Sequence, residues 1–206
     1  MARAKPGEWS ELPWWFKRIG SVEGWIKGRL VRNPQDALEV AQRIHARVAK
    51  KYGPDSYRTV NSLEHVARGM EEAGQPTEAL ELRREVVAKR QEHQGVDDPA
   101  TLNSESWLAN ALMNLGEFAD ARTHFEHVVS GESHVLGETD PKTMNAMQSL
   151  AYVEFRMGRP AAARRILEEV VALYESSGQG SSAAADDARG RLTSITSEPT
   201  EADPAE

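Results

Sequence analysis

Apolar and small residues recur along this chain with a long period. Gly74, Gly116 and Gly158 stand 42 residues apart, and so do Ala67, Ala109 and Ala151. Ala79, Ala121 and Ala163 keep the same interval, as do the valine pairs that begin at Val86, Val128 and Val170 and the Thr-x-Asn triplets that begin at Thr59, Thr101 and Thr143. A turn cluster opens each unit: GPDS from Gly53, DDPAT from Asp97 and TDPKT from Thr139. Helix-forming residues run from there to the glycine, and a second helical stretch carries the alanine and valine positions. The pattern predicts helix, turn, helix, three times over. A glycine suits the end of a first helix because a left-handed C-terminal cap costs it little. Small residues at 67 and 79 allow the two helices of a unit to approach closely, while Val66, Leu80 and Val86 fill the space between units. One such hairpin cannot bury its apolar face alone, so stability must come from stacking, with modified units at the ends.

Extended upstream, the register places Ala37 with Ala79 and Ile44 with Val86, so NPQDALEVAQRIHARVAKKY reads as the second helix of an earlier unit. Its first helix must then lie in the opening stretch, with Trp25 on the Ala67 position and Arg32 on the glycine position. Downstream, SGQGSS breaks the chain, AAADDARGRLTSI predicts a short capping helix, and SEPTEADPAE has no apolar periodicity. The expected organisation is a Trp-rich helix serving as a degenerate cap over 1–33, a repeat solenoid over 34–177, a capping helix over 178–196, and a disordered acidic tail over 197–206.

The stretch DPATLNSESWLANALMNLGEFADARTHFEHVV resembles a tetratricopeptide repeat of the 42-residue type found in kinesin light chains, through Leu108-Ala109, Gly116, Ala121 and Phe125. DPKTMNAMQSLAYVEFRMGRPAAARRILEEVV resembles it through Leu150-Ala151, Gly158, Ala163 and Leu167. The first unit keeps Val66-Ala67, Gly74 and Ala79 but has Arg83 where the others have Phe125 and Leu167. The resemblance implies an all-α, right-handed superhelical solenoid. It also implies a concave groove, lined by the first helices, that binds a protein or an extended peptide.

By register with that family, the groove-facing residues are Asn61, Glu64, His65, Arg68, Glu71 and Glu72 in the first unit. The second unit contributes Asn103, Ser106, Trp107, Asn110, Met113 and Asn114, and the third Asn145, Gln148, Ser149, Tyr152, Phe155 and Arg156. The recurring asparagines Asn61, Asn103 and Asn145 can serve as an amide ladder for an extended chain, or as caps at the starts of helices. Trp107 is expected to be a central interface anchor, the alternative being core packing. With Tyr152 and Phe155 it is expected to make an aromatic pocket, flanked by Arg68 and Arg156 for carboxylates. Acidic neighbours of Arg68 argue against the two-carboxylate clamp of chaperone-binding relatives.

Net charge narrows the partners. At −7 over 206 residues the chain lacks the basic footprint of a general nucleic-acid binder. Absence of cysteine leaves no disulfide and no thiolate chemistry, which fits a reducing compartment, and the expected location is the cytoplasm. No stretch reads as a signal peptide or a membrane span. His124 and His127 are three apart on a helix with His134 nearby, but two imidazoles do not make a metal site, and a half-buried helix face is the simpler reading. No nucleophile, general base or phosphate-cradling spacing points to catalysis, and no cofactor is expected.

The N-terminal WWFKRIGSVEGWIKGRL is basic and aromatic. At 100° per residue, Trp14, Trp15, Ile19, Val22, Trp25, Ile26 and Leu30 share an arc of about 160°. Arg18 and Arg29 intrude into that arc, while Gly20, Gly24 and Gly28 lie on another side. Helical glycines cost stability unless close packing compensates. The segment is therefore expected to close the open end of the solenoid or to pair with a second subunit. Its rival is an interfacial helix that holds the protein on a membrane surface.

Overall fold

The computed structural model describes residues 33–197, and these form eight α-helices in succession. They are α1 (Pro34–Tyr52), α2 (Tyr57–Glu72), α3 (Pro76–Gln94), α4 (Pro99–Leu115), α5 (Phe118–Leu136), α6 (Pro141–Arg156), α7 (Pro160–Ser176) and α8 (Ala183–Ser197). Each helix packs against the next, so the pairs α2–α3, α4–α5 and α6–α7 are the three hairpins and α1 and α8 flank them. Among the described residues the architecture is an all-α repeat solenoid without strands.

Local chemistry sets the helix starts. Ser56, Asp98 and Asp140 cap α2, α4 and α6, their side chains accepting from the backbone N–H of Thr59, Ala100 and Lys142. Proline follows the cap in α4 and α6 and also opens α1, α3 and α7, where its missing N–H would be unpaired in any case. Gly116 ends α4 at φ 83°, ψ 8°, in the left-handed conformation that a Cβ disfavours. Gly53, Gly95 and Gly137 form a second glycine column with the same 42-residue interval, ending α1, α3 and α5 at φ 88°, 93° and 95°. At two of these ends the repeated threonine adds a bond, Thr59 donating to the Gly53 carbonyl at 2.6 Å and Thr143 to that of Gly137 at 2.9 Å, whereas the buried hydroxyl of Thr101 has no hydrogen-bond partner.

The core follows the small-residue columns. Ala67, Ala109, Ala151, Ala79, Ala121 and Ala163 are all completely buried, and Val86, Val128 and Val170 almost so. Leu108, Leu112 and Phe125 fill the centre of the middle hairpin. At the C-terminal end, Ala185, Ala188 and Ile195 of α8 close the apolar face of α6 and α7. At the other end, Ile44 of α1 occupies the column of the sealed valines yet is 39% exposed. The aromatic and aliphatic positions Trp14, Trp15, Ile19, Val22, Trp25 and Ile26, and the acidic tail from 198 on, lie outside the described residues.

Candidate functional site

One side of the stack is built from α2, α4 and α6, and three-to-four residue spacing aligns their side chains along it. Asn61, Glu64, His65 and Arg68 of α2 face Asn103 and Trp107 of α4 across a cavity of about 220 Å³. Arg83 and Arg90 from α3 complete its lining. A second cavity, about 280 Å³, lies at the α4–α5 turn, lined by Met113, Asn114, Leu115, Gly116, Phe118, Tyr152 and Arg156.

Trp107 is 48% exposed, and its ring lies 5.5 Å from the Arg83 guanidinium. It is therefore not a core residue. His65, Asn103, Asn145 and Arg156 are also exposed, while Asn61, Arg68 and Asn110 are half-buried. Tyr152 is 37% exposed, and its hydroxyl accepts from Arg156 at 2.7 Å. The Arg156 guanidinium lies 4.7 Å from the Phe118 ring, an additional aromatic that sequence reasoning did not place here.

Four expectations need correction. The asparagines are not caps: each stands five residues into its helix, behind the capping Ser56, Asp98 or Asp140. They are also not equivalent, since Asn61 is half-buried and accepts from Arg90, whereas Asn103 and Asn145 are exposed, Asn103 at the cavity. The three-membered aromatic pocket does not form, because Phe155 packs with Ala151, Leu167 and Ile195. Two residues assigned to the groove are committed elsewhere: Glu71 is paired with Arg83, and Gln148 is buried 3.4 Å from the Tyr174 hydroxyl.

Arg83 is the residue sequence reasoning underused. It occupies the column of Phe125 and Leu167 and is just as buried, at 3% exposure. Its Nε and Nη2 donate to the two Glu71 oxygens at 2.6 and 2.8 Å, and its Nη1 reaches Glu64 at 3.4 Å. Such a fork-to-carboxylate pair is what makes a guanidinium tolerable in an interior position. A second polar replacement sits in the middle hairpin. His124 and His127 place their Nδ1 atoms 2.9 and 2.8 Å from the two oxygens of buried Glu105. Burial opposes ionisation of Glu105, yet the two imidazoles prevail and hold its carboxyl below the usual carboxylate range. The histidine pair is thus occupied by one carboxylate, and no group of three or more metal-ligating side chains occurs among the described residues. No helix among them is long and apolar enough to cross a membrane.

The tetratricopeptide repeat family model matches residues 100–176. Among solved structures, the nearly identical TPR-like repeats of a Podosopora anserina kinesin light chain-type protein are similar at 25% identity in a variant form. That match covers 79% of this chain and 82% of the other, with a TM-score of 0.69. The companion structure of those repeats gives 24% identity over 82% of this chain and 90% of that one, with a TM-score of 0.64. BtubC (BKLC) from P. vanneervenii shares the fold at 12% identity, with a TM-score of 0.53 over 84% and 92% of the two chains. No curated protein matches the sequence. Repeats of this kind generally serve as protein-interaction scaffolds and are typically non-catalytic. The family match thus identifies residues 100–176 as tetratricopeptide repeats, and over the described residues the 42-residue register and the fold are similar to the TPR-like repeats of the kinesin light chain-type structures.

Proposed function

We propose that the protein is a non-catalytic adaptor that binds a protein partner, as an extended peptide or a helix, along the face built from α2, α4 and α6. The observation that carries this reading is Trp107: a large aromatic in the middle hairpin, half exposed, beside a polar cavity. Interface anchors are enriched in tryptophan, tyrosine and arginine and cluster centrally. Tyr152 and Arg156 border a second cavity one unit on and extend the same surface. His65, Asn103 and Asn110 supply polar contacts between them.

The test begins with a pull-down from the native host and proceeds to Trp107→Ala against the captured partner. Loss of a central anchor is expected to weaken binding by at least about 2 kcal/mol. The melting temperature should change little, because half of the side chain already faces water. A variant that unfolds while retaining affinity when cooled would place the tryptophan among the structural residues and remove the basis for the reading.

We also propose that residues 1–32 complete the first unit by packing on α1. What supports this is the Ile44 column: its three later members are sealed at 0–1% exposure, each with a first helix in its own hairpin, while Ile44 is 39% exposed. Thirty-two residues precede the described chain, more than the 16 of α2. Pairing with a second subunit and contact with a membrane surface are the competing uses of the same segment.

A further inference from the structure

We propose that the outward face of α1 is a contact surface for an anionic lipid bilayer. The proposal stands apart from the groove reading, because α1 is a second helix and the groove face is built from the first helices α2, α4 and α6. At 100° per residue, Arg43, Arg47, Lys50 and Lys51 share an arc of about 100° on α1. All four are exposed. Leu38, the buried residue of this helix, lies on the opposite side, as does His45, whose Nδ1 is 2.8 Å from the Ser62 hydroxyl of α2. Ile44 lies at the edge of the arc, so a first helix covering Ile44 leaves Arg43, Arg47 and Lys50 facing solvent.

Such a face costs the helix stability, because like charges three and four residues apart repel. Of the four cations only Arg43 has an acidic partner among the described residues, Glu39 on the preceding turn. Asp55, the acid that follows them in sequence, is taken by Lys89 of α3. Elsewhere the same spacing carries opposite charges: Glu85 with Lys89, Arg122 with Glu126 and Asp187 with Arg191. The face is also particular to α1. One period on, its positions hold Glu85, Lys89, Glu92 and His93, and the two later units have no lysine or arginine in these columns.

Charge along the whole chain has the same polarity. Residues 1–58 hold 12 of the 25 basic side chains and 6 of the 32 acidic ones, a net +6 in a chain of net −7. A planar anionic surface meets the basic end alone, with the acidic units stacked away from it, and cations within a Debye length of lipid headgroups are attracted individually. A nucleic acid strand, the other extended polyanion, has no such plane and is repelled where it runs along the acidic units. Exposed aromatics complete the face. Tyr52, 39% exposed, has Lys51 Nζ at 5.0 Å and the Arg58 guanidinium at 4.5 Å from its ring centroid, and Tyr57 beyond it is 56% exposed. Tyrosine suits the headgroup level, where the ring meets apolar surface and the hydroxyl stays wet.

The experiment is cosedimentation of the full chain with vesicles of phosphatidylcholine alone and of phosphatidylcholine mixed with phosphatidylglycerol. Binding to the mixed vesicles only is expected, weakening in about 0.5 M salt, where exposed charges are screened. Combining Arg47→Gln, Lys50→Gln and Lys51→Gln should weaken it at least about tenfold. Arg84→Gln, Arg165→Gln and Arg191→Gln together change the net charge equally at exposed positions outside α1 and should leave the partition near that of the wild type. The first triple variant should melt no lower than the wild type, since it relieves like-charge repulsion. Should it melt lower, Lys50→Gln and Lys51→Gln are read singly in its place, each expected to weaken binding about fivefold. Absence of binding to the mixed vesicles, equal binding to both compositions, or an unchanged partition in these variants would overturn the proposal. So would capture of a single-stranded oligonucleotide or a glutamate-rich peptide through the same three residues without vesicle binding, which would assign the face to that class instead. The groove is judged separately, by Trp107→Ala against the captured partner.

Discussion

His124 Nδ1 lies 2.9 Å from Glu105 Oε1 across the contact between α4 and α5. In the neighbouring hairpins the same two columns hold Leu63 with Leu82 and Met147 with Ile166, residues of apolar clusters. The middle unit thus replaces a hydrophobic contact with an ionisable one, and His127 closes on the second oxygen.

Glu105→Gln is expected to lower stability near neutral pH by about 1–2 kcal/mol. This lies below the cost of breaking a fully buried pair because the imidazoles are partly hydrated. The sign of the pH dependence follows from the depressed carboxyl: the folded protein binds its proton less readily than the unfolded chain. The stabilisation is therefore present above the ordinary carboxylate value and is lost as pH falls through the folded value. Urea unfolding of both proteins between about pH 7 and pH 3 should show the wild-type advantage shrinking in the acid range. Parallel curves throughout would mean that the contact contributes no linkage.

Arg83 offers a double-mutant cycle. Arg83→Leu restores the apolar column of Phe125 and Leu167 but strands Glu71 and removes a partner of Glu64, and should cost about 2–4 kcal/mol. Adding Glu71→Gln removes the stranded charge and should recover a substantial part of that loss, since a buried ion pair exchanged for apolar packing is often neutral or favourable. Denaturant melts of the four proteins give the coupling energy. Additive effects would contradict the bidentate pairing.

Removal of residues 1–32 should cause aggregation or a large loss of stability if the segment covers α1. A sharper reading comes from Ile44→Asp in both lengths of chain. It should destabilise the full-length protein well beyond its effect on the truncated one, because only the former has a cover to lose. Sedimentation with anionic liposomes and light scattering run alongside. A truncated protein that stays folded and monomeric, with liposome binding confined to the full-length form, would favour the membrane use.

Much of the architecture was legible because it is written in local, repeated constraints. A left-handed glycine at 116, close-approach alanines at 109 and 121, and capping side chains at 98 and 140 act within a few residues of themselves, so each leaves its mark in the same place every 42 residues. The face carrying Asn61, Trp107 and Tyr152 followed from the same register, since side-chain direction on a helix is fixed by spacing. The substituted columns were also visible. Arg83 aligns with Phe125 and Leu167, and Glu105 with Leu63 and Met147, but their meaning was not.

Sequence by itself determined where the chain turns, which small residues lie between helices and which unit breaks the pattern. Only the tertiary structure decided the charge partners: Arg83 with Glu71, Arg90 with Asn61, Glu105 with His124 and His127. It also turned Phe155 inward and left Trp107 half in water. The reason is physical. Helix, cap and turn preferences depend on a residue and its near neighbours, whereas the free energy of a buried charge depends on which donors and acceptors reach it from other helices. That set exists only once α2, α3 and α4, or α4 and α5, are stacked.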